Sequence, residues 1–233
     1  MEEEKLNVVV LLSGGMDSVC ALYQSIEKYN VMSALSFDYG SKHNHKELPY
    51  ASFHCEKLNI PHSIIKIDFI DDYFKPHLLK DGRYLQRSYY DKDSMNKTIV
   101  PFRNGIMLSI AVGYTESRNG NGVVIAAHND NYSIYPDCRE KFLKSMSQAV
   151  CAGTYNKMKI IRPFVFMTKD QIIRKGQMLG VDFSKTWSCD EDENIHCGEC
   201  NTCMDRKEAF NSARIVDPTD YSSEEPLPLE PFA

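Results

Sequence analysis

The sequence predicts an α/β protein with a parallel sheet in a three-layer α/β/α arrangement, followed by a small cysteine-rich C-terminal segment. Strand-like and helix-like stretches alternate as βαβαβ up to residue 67, which is typical of parallel sheets with right-handed crossovers. Residues 7–12 read N-V-V-V-L-L, as expected for a strand buried on both faces. Four cysteines fall within residues 189–203. These three observations determine the expected architecture.

The first half of the sheet is predicted from apolar runs that are separated by helical spacing. Residues 18–29 carry apolar side chains at helical intervals, and residues 45–58 form a second helix that Asn59 closes. The three strands around these helices are residues 7–12, 31–37 and 63–67.

Residues 69–99 interrupt this alternation, because they are rich in Tyr, Asp and Lys and have weak periodicity. We expect a long loop or flap there. Thr168 and Gly180 are suited to begin and end the helix between them. The remaining expected helices are residues 104–117, 137–151, 168–179 and 202–212, and the remaining strands are 123–127 and 159–162.

This organisation predicts three parts: an α/β domain over 1–187, a cysteine-rich segment and helix over 188–216, and an acidic, proline-rich tail over 217–233. The tail is expected to lie extended over the surface or to be disordered. It also carries the whole charge imbalance, since the chain has 27 Lys and Arg against 32 Asp and Glu, and five of those acids follow residue 216. A balanced body argues against a protein that holds nucleic acid through its net field.

The cellular compartment is inferred from the N-terminus and the apolar runs. Three consecutive glutamates follow Met1, which is the wrong charge for a signal or transit peptide. No apolar run approaches the roughly 18–20 residues that span a bilayer. We therefore expect a cytoplasmic protein with no membrane partner, in which eight cysteines need an explanation other than disulfides.

The turn Ser13-Gly14-Gly15-Met16-Asp17-Ser18 lies between a strand and a helix and is the first chemical motif. A glycine pair there lets several amides point into one concavity at a helix N-terminus, which suits a phosphate. Ser13 and Ser18 supply hydroxyls, and Asp17 can hold Mg²⁺ against the phosphate oxygens. A simple β-to-α turn capped by Asp17 is the alternative. The motif lacks the lysine of a P-loop.

The second motif has C-x₇-C-x₂-C-x₂-C spacing and comprises Cys189, Cys197, Cys200 and Cys203. Four thiolates leave no open coordination position, which favours structural zinc. An iron–sulfur cluster and redox-active thiols are the alternatives. The other four cysteines are expected to be small buried hydrophobes.

Polar residues on three further loops point to one pocket at the carboxyl edge of the sheet. Residues 38–43 follow the second strand, and Lys42 or His43 there can neutralise phosphate charge. Arg103 precedes a helix and can face an anion. Asp137 and Arg139 open the next predicted helix, where Asp137 either caps the helix or reads a purine-like base with Arg139. A solvated turn is the alternative for residues 38–43.

In chain order, S-G-G-M-D-S, D-Y-G-S-K-H, V-P-F-R-N-G, Y-P-D-C-R-E-K-F and W-S-C…H-C-G-E-C-N-T-C resemble the 7-cyano-7-deazaguanine synthases of queuosine biosynthesis. That family belongs to the pyrophosphate-loop superfamily, with an adenine nucleotide α-hydrolase-like fold. The resemblance covers about residues 6–220. Ser41 departs from the common Gln, the run N-D-N-Y-S-I departs from the common pattern, and the tail has no clear counterpart.

The resemblance implies ATP-dependent conversion of 7-carboxy-7-deazaguanine and ammonia to the nitrile, with Mg²⁺ and structural Zn²⁺. It implies a homodimer that acts on small molecules without direct nucleic-acid binding. Asp17, Lys42 and Arg103 are the expected catalytic residues. The expected ATP site is Leu12, Ser13, Gly14, Gly15, Met16, Asp17, Ser18, Phe37 and Tyr39. The expected substrate contacts are Arg103, Tyr135, Asp137 and Arg139.

Three other functions compete with this interpretation. A related ligase would join the same activated carboxylate to a protein or other amine. A tRNA-thiolating pyrophosphate-loop enzyme would need a second catalytic cysteine pair and a basic face. A non-enzymatic zinc module would explain residues 189–203 but leave the glycine loop unused.

Overall fold

The computed structural model describes residues 5–74, 99–128, 135–191 and 194–223. Its centre is a sheet of five parallel strands in the order β3-β2-β1-β4-β5. The strands are β1 Asn7–Leu11, β2 Asn30–Asp38, β3 His62–Lys66, β4 Gly122–Val124 and β5 Lys159–Ile161. The parallel α/β architecture expected from the βαβαβ alternation is confirmed.

Seven α-helices connect and follow the strands within the described residues. They are α1 Met16–Lys28, α2 Asn44–Lys57, α3 Phe69–Tyr73, α4 Arg103–Glu116, α5 Glu140–Gly153, α6 Lys169–Met178 and α7 Asn201–Ala213. Two short 3₁₀ turns, Pro136–Cys138 and Phe183–Lys185, precede α5 and follow α6.

The helices cover both faces of the sheet, which gives the three layers. Val8 and Val10 of β1 pack into one core with side chains of α1, α2, α6 and α7. Val9, between them in sequence, packs into a second core with side chains of α4 and α5. Successive residues of a strand point to opposite faces, so a strand buried on both sides is apolar at every position.

The strand order places a topological switch at β1. The chain runs outward from β1 to β2 and β3, then crosses back to β4 and outward to β5. The connections leaving β1 and β4 therefore diverge at the carboxyl edge, and open α/β sheets bind their ligands in the crevice that this leaves.

Several predicted boundaries were wrong. The helix expected over 137–151 is a 3₁₀ turn followed by extended Arg139, and α5 starts only at Glu140. Within the loop expected over 69–99, Phe69–Tyr73 is helical, because Ile70 turns inward and is fully buried. The rest of that loop, residues 75–98, lies outside the described residues, as does the 129–134 run.

No helix among the described residues is both long enough and apolar enough to cross a membrane.

Candidate active site and metal centre

The turn between β1 and α1 is held in shape by its own serines. The Ser13 amide donates to Ser18 Oγ at 3.2 Å, and the Gly15 amide donates to Ser13 Oγ at 3.2 Å. Ser18 Oγ donates to the Gly15 carbonyl at 2.9 Å. The N-terminal amides of α1, a helix of 13 residues, face this turn, so it forms the concavity that an anionic phosphate requires.

Gly14 lies between α2 and the residues that follow the second 3₁₀ turn, where there is no room for a side chain. Its φ is +98°, and a Cβ there would lie 2.2 Å from the carbonyl oxygen of Glu47 in α2. The Trp187 amide, which follows the second 3₁₀ turn, donates to the Gly14 carbonyl at 3.1 Å. The loop is therefore clamped between α2 and the start of the cysteine segment.

Asp17 faces His128 across the switch point between β1 and β4. His128 Nε2 lies 3.5 Å from Asp17 Oδ2, and the two side chains are 15% and 25% exposed. Asp17 Oδ1 and His128 Nδ1 are both buried and have no hydrogen-bond partner among the described residues. Burial raises the pKa of Asp17, but the hydrogen bond and charge of His128, with Lys169 and Arg206 farther off, lower it overall. The site thus holds an ionised carboxylate with one oxygen left for a ligand.

Arg103 is the first residue of α4 and reaches back to the loop after β2. Its Nη1 donates to Tyr39 Oη at 3.0 Å, and its guanidinium carbon lies 5.6 Å from the centre of the Tyr39 ring. The Tyr39 oxygen is the main cause that raises the pKa of Arg103, so this side chain carries a fixed positive charge. Tyr39 itself is 5% exposed and packs in the core below.

Asp137 caps a neighbouring helix rather than its own. Its Oδ2 accepts a hydrogen bond from the Asn104 amide of α4 at 2.8 Å, and the Asn104 side chain donates to Cys138 Sγ at 3.1 Å. These bonds tie the Y-P-D-C loop to the loop that carries Arg103. One oxygen of the Asp137 carboxylate is thereby committed to structure.

His43, which immediately precedes α2, and Glu47, in the first turn of α2, are both neutral near pH 7. His43 Nε2 is 3.7 Å from Glu47 Oε2 and 3.0 Å from Ser41 Oγ. Burial lowers the pKa of His43 to about 3 and raises the pKa of Glu47 to about 8. The pair is therefore a polar contact between uncharged groups, beside the phosphate loop.

The other predicted site residues divide between the core and the rim. Leu12, Met16 and Phe37 are buried core side chains, at 2%, 5% and 7% exposure. Lys42 and Tyr135 are half-buried. Arg139 is exposed, and its carbonyl accepts the Leu143 amide of α5.

The four cysteines of the second motif converge at one point. Their sulfur atoms all lie within 4.8 Å of one another. The Cys197–Cys203 and Cys189–Cys200 sulfur pairs are each 3.9 Å apart, close to the edge of about 3.8 Å expected for a tetrahedron with metal–sulfur bonds of about 2.3 Å. The Glu199 and Cys200 amides point at Cys197 Sγ at 3.4 and 3.2 Å. The arrangement fits a closed tetrahedral metal site.

Residues 217–223 lie across this cysteine segment. The Ser222 amide donates to the His196 carbonyl at 2.8 Å, and the Ser223 amide donates to the Cys197 carbonyl at 3.1 Å. His196 is not a fifth ligand: its Nε2 accepts the Ser188 amide at 3.0 Å, and its ring lies 4.3 Å from that of Trp187. The start of the tail is therefore built onto the metal segment.

A fully buried arginine joins the tail to the catalytic domain. Arg206 of α7 has no exposed surface and donates to Asp217 Oδ1 at 3.3 Å, Thr186 Oγ1 at 2.8 Å and the Phe183 carbonyl at 2.9 Å. Tyr221 Oη donates to the other Asp217 oxygen at 2.6 Å. These hydrogen bonds compensate for the cost of removing the charged guanidinium from water.

His128 and Glu47 were not predicted from the sequence. His128 follows an apolar run that ends at Ala127, and its position directly after a predicted strand was the available signal. Glu47 occupies a helix where nothing in the spacing distinguishes it from a solvated residue. Only the three-dimensional contact with Gly14 reveals it.

Comparison with known proteins gives a consistent result. The family model described as queuosine biosynthesis protein QueC matches residues 7–214. The 7-cyano-7-deazaguanine synthase of Porphyromonas gingivalis is 47% identical over 221 residues, covering 95% of this chain and 99% of the relative. That of Desulfotalea psychrophila is 44% identical over 213 residues, covering 91% and 97%.

Solved structures with similar folds are more distant. An NMN synthetase from Francisella tularensis is 14% identical, covers 92% of this chain and 79% of its own, and has a TM-score of 0.47. A 4-thiouridine synthetase in complex with RNA and ATP is 15% identical, covers 90% and 50%, and has a TM-score of 0.48. Neither score reaches 0.5, so these two structures do not bear on function. The family match and the full-length relatives do: the chain belongs to the QueC family of queuosine biosynthesis proteins.

Proposed function

We propose that this chain converts 7-carboxy-7-deazaguanine and ammonia to 7-cyano-7-deazaguanine, using ATP to activate the acid and then the amide. The observation that carries the proposal is the clamped S-G-G-M-D-S loop at the switch point of a chain whose full-length relatives are named for this synthesis. A carboxylate is a poor electrophile at neutral pH, so one of its oxygens must first become a leaving group.

The loop residues are proposed to bind and orient the phosphates of ATP. The Gly14–Gly15 turn, the hydroxyls of Ser13 and Ser18 and the first amides of α1 supply hydrogen-bond donors for the oxygens. When bound, Mg²⁺ neutralises phosphate charge, and Asp17 Oδ1 is the side-chain oxygen available to hold it. The substrate carboxylate then attacks the α-phosphate, and pyrophosphate leaves.

Arg103 and Lys42 are proposed to stabilise negative charge on the carboxylate and phosphate oxygens. Arg103 is suited to this role because Tyr39 fixes its guanidinium and the loop after β2 lies beside the phosphate loop. Tyr135 and the free oxygen of Asp137 are proposed to contact the deazaguanine. Arg139, which is exposed, is proposed to contact the substrate at the rim of the pocket.

The activity is tested by incubating the chain with ATP, Mg²⁺, ammonium and 7-carboxy-7-deazaguanine and analysing the products by mass spectrometry. We expect the nitrile together with AMP and pyrophosphate. An amide as the final product, turnover only with a protein amine, or ADP in place of AMP would each contradict the proposal.

The metal is proposed to be a structural zinc ion, because the four cysteine sulfur atoms would fill all four positions of a tetrahedral site and leave none for water. Cys200→Ser should lower bound zinc well below one ion per chain and destabilise the fold, since the ion's binding energy contributes to folding. Cys151→Ser, at an exposed cysteine outside the cluster, is the matched control and should keep its zinc. Iron and sulfide in the purified parent chain would contradict zinc.

We also propose that the chain acts in the cytoplasm as a homodimer without binding nucleic acid. Four thiols that bind a metal need a reducing compartment. The balanced charge of residues 1–216 supports small substrates over RNA. The dimer is proposed from the family resemblance, and sedimentation equilibrium tests it.

A further inference from the structure

His128 is a half-buried polar side chain at the switch point to which the proposed function gives no role. It follows Ala127, just beyond the carboxyl end of β4, and its side chain is 15% exposed. The central strand β1 ends beside it and leads into the phosphate loop. His128 thus lies on the wall of the crevice where the reacting groups are held.

The contact with Asp17 determines which nitrogen of His128 carries a proton. Asp17 is ionised and can only accept hydrogen bonds, so Nε2, 3.5 Å from its Oδ2, is the protonated nitrogen. In the neutral imidazole, Nδ1 is then a lone-pair acceptor. It is buried and has no partner among the described residues. A buried acceptor that no described residue satisfies calls for a partner from a ligand.

The proposed reaction needs such an acceptor at this place. When ammonia adds to the acyl carbon of the adenylate, the new nitrogen bears a positive charge and must lose a proton before the amide can form. The acyl carbon is linked through one oxygen to the α-phosphate, which the loop containing Asp17 is proposed to bind. A base that contacts Asp17 is therefore close to the attacking nitrogen.

We propose that His128 Nδ1 accepts this proton and that Asp17 orients the imidazole for it, an inference that rests on the proposed function. The ammonia lone pair forms the C–N bond, and the carbonyl pair moves onto oxygen. Nδ1 takes one proton from nitrogen. The oxygen pair re-forms C=O as the C–O bond to phosphate breaks, and its electrons leave with AMP. The imidazolium releases the proton to solvent.

The two other buried bases near the loop are less suited to this task. Burial lowers the pKa of His43 to about 3, so it accepts a proton weakly at neutral pH. Burial raises the pKa of Glu47 to about 8, so its carboxyl already carries a proton. His43 Nε2 is also in contact with Ser41 Oγ at 3.0 Å.

The test separates amide formation from adenylation in His128→Gln, since glutamine can still donate to Asp17 but cannot take up a proton. Adenylation is measured as ATP–pyrophosphate exchange in the presence of the acid and absence of ammonium, and amide formation as a single turnover with ammonium. We expect amide formation to fall about 100-fold and exchange to fall less than about fivefold. His62→Gln, in the edge strand β3 and outside the proposed site, should leave both rates within about twofold, because a glutamine amide can still bond to the Ser36 and Ser52 hydroxyls that His62 contacts.

A second variant, His128→Ala, tests the same role by chemical rescue. Added imidazole should restore amide formation in the alanine variant and leave the His62 control unchanged. Amide formation in His128→Gln within about threefold of the parent, or a parallel loss of exchange and amide formation, would overturn the inference, because catalysis by a general base contributes about 10²–10⁴ to one step. Absence of exchange in the parent chain would instead overturn the proposed function.

Discussion

Gly14 shows how one residue without a side chain makes the phosphate loop. Its positive φ and the 2.2 Å gap to the Glu47 carbonyl mean that any Cβ must push α2 and the loop apart. The clamp is local, yet it sets the position of the amides that are proposed to face ATP.

Gly14→Ala is accordingly expected to be damaging. The strained φ alone costs about 1–3 kcal/mol of unfolding free energy, and the displaced loop should lose ATP binding. Gly113→Ala in α4 is the matched control, because a Cβ there meets nothing within 4 Å and alanine favours a helix. Denaturant unfolding and ATP titration check both. Equal stability and ATP affinity in the two variants would contradict the clamp.

Glu47 gives the stability of the protein a defined pH dependence. Its pKa is raised by burial from 4.5 to about 8, so the folded state binds a proton that the unfolded state has lost. Its contribution is fully present below about pH 4.5, declines as the pH rises, and is lost above about pH 8. His43, with a pKa lowered from 6.5 to about 3, contributes in the opposite sense at the acid end.

Glu47→Gln should therefore remove the loss of stability between about pH 6.5 and 8, above the range in which His43 acts, since glutamine stays neutral throughout. The variant gains on the parent as the pH rises. Unfolding free energies measured across this range check it, with Glu56→Gln, exposed on the same helix, as control. A profile for Glu47→Gln that runs parallel to the parent's would contradict a buried, protonated Glu47.

At the scale of elements, the metal segment and the start of the tail form one unit. The backbone of residues 222–223 pairs with His196 and Cys197, and Asp217 bonds to the buried Arg206. Arg206 in turn bonds to Thr186, at the end of the catalytic domain. Trp187 follows Thr186, and its amide donates to the Gly14 carbonyl of the phosphate loop. The metal segment is thereby fixed against that loop.

Asp217→Asn should destabilise the chain by about 3 kcal/mol, because it leaves the Arg206 guanidinium buried without a counter-charge. Asp220→Asn removes an exposed carboxylate three residues along and should change stability by less than about 0.5 kcal/mol. Chemical denaturation of the two variants gives the comparison. Similar losses in both would show that the acidic tail contributes only through its overall charge.

Strands whose residues are all buried were predictable from the sequence. The apolar run at 7–12 and the alternation up to residue 67 led to β1, β2, β3 and their order of appearance, because a strand buried on both faces leaves a local pattern. The start of α5 was not predictable. The start was predicted from Asp137 as a helix cap, but the Asp137 carboxylate accepts a hydrogen bond from the amide of Asn104 in a different helix. A local sequence pattern does not indicate a partner 33 residues away.

The site was predictable to the same extent. Cysteine spacing and the glycine loop are local signals, and the structure brings the four sulfur atoms together as expected. The Asp17–His128 contact joins the ends of two strands that are neighbours only in the folded sheet. Strand register and strand order determine such contacts, and neither can be inferred from a single sequence.

At the scale of the whole molecule, one phosphate loop is proposed to serve both activation steps. Both oxygens of the substrate carboxylate should then leave through this loop, the first as the acid is activated and the second as the amide is activated. The five-stranded sheet places the loop, the Asp17–His128 pair and the Arg103–Tyr39 pair at its carboxyl edge, where both steps are proposed to occur.

The most direct test follows the two oxygens. The chain is supplied with 7-carboxy-7-deazaguanine that carries oxygen-18 at both carboxylate positions, together with unlabelled ATP, Mg²⁺, ammonium and water. Mass spectrometry of the products should show two molecules of AMP for each nitrile, and each AMP should contain one labelled oxygen. Unlabelled AMP, label recovered in water, or label in inorganic phosphate would contradict the account.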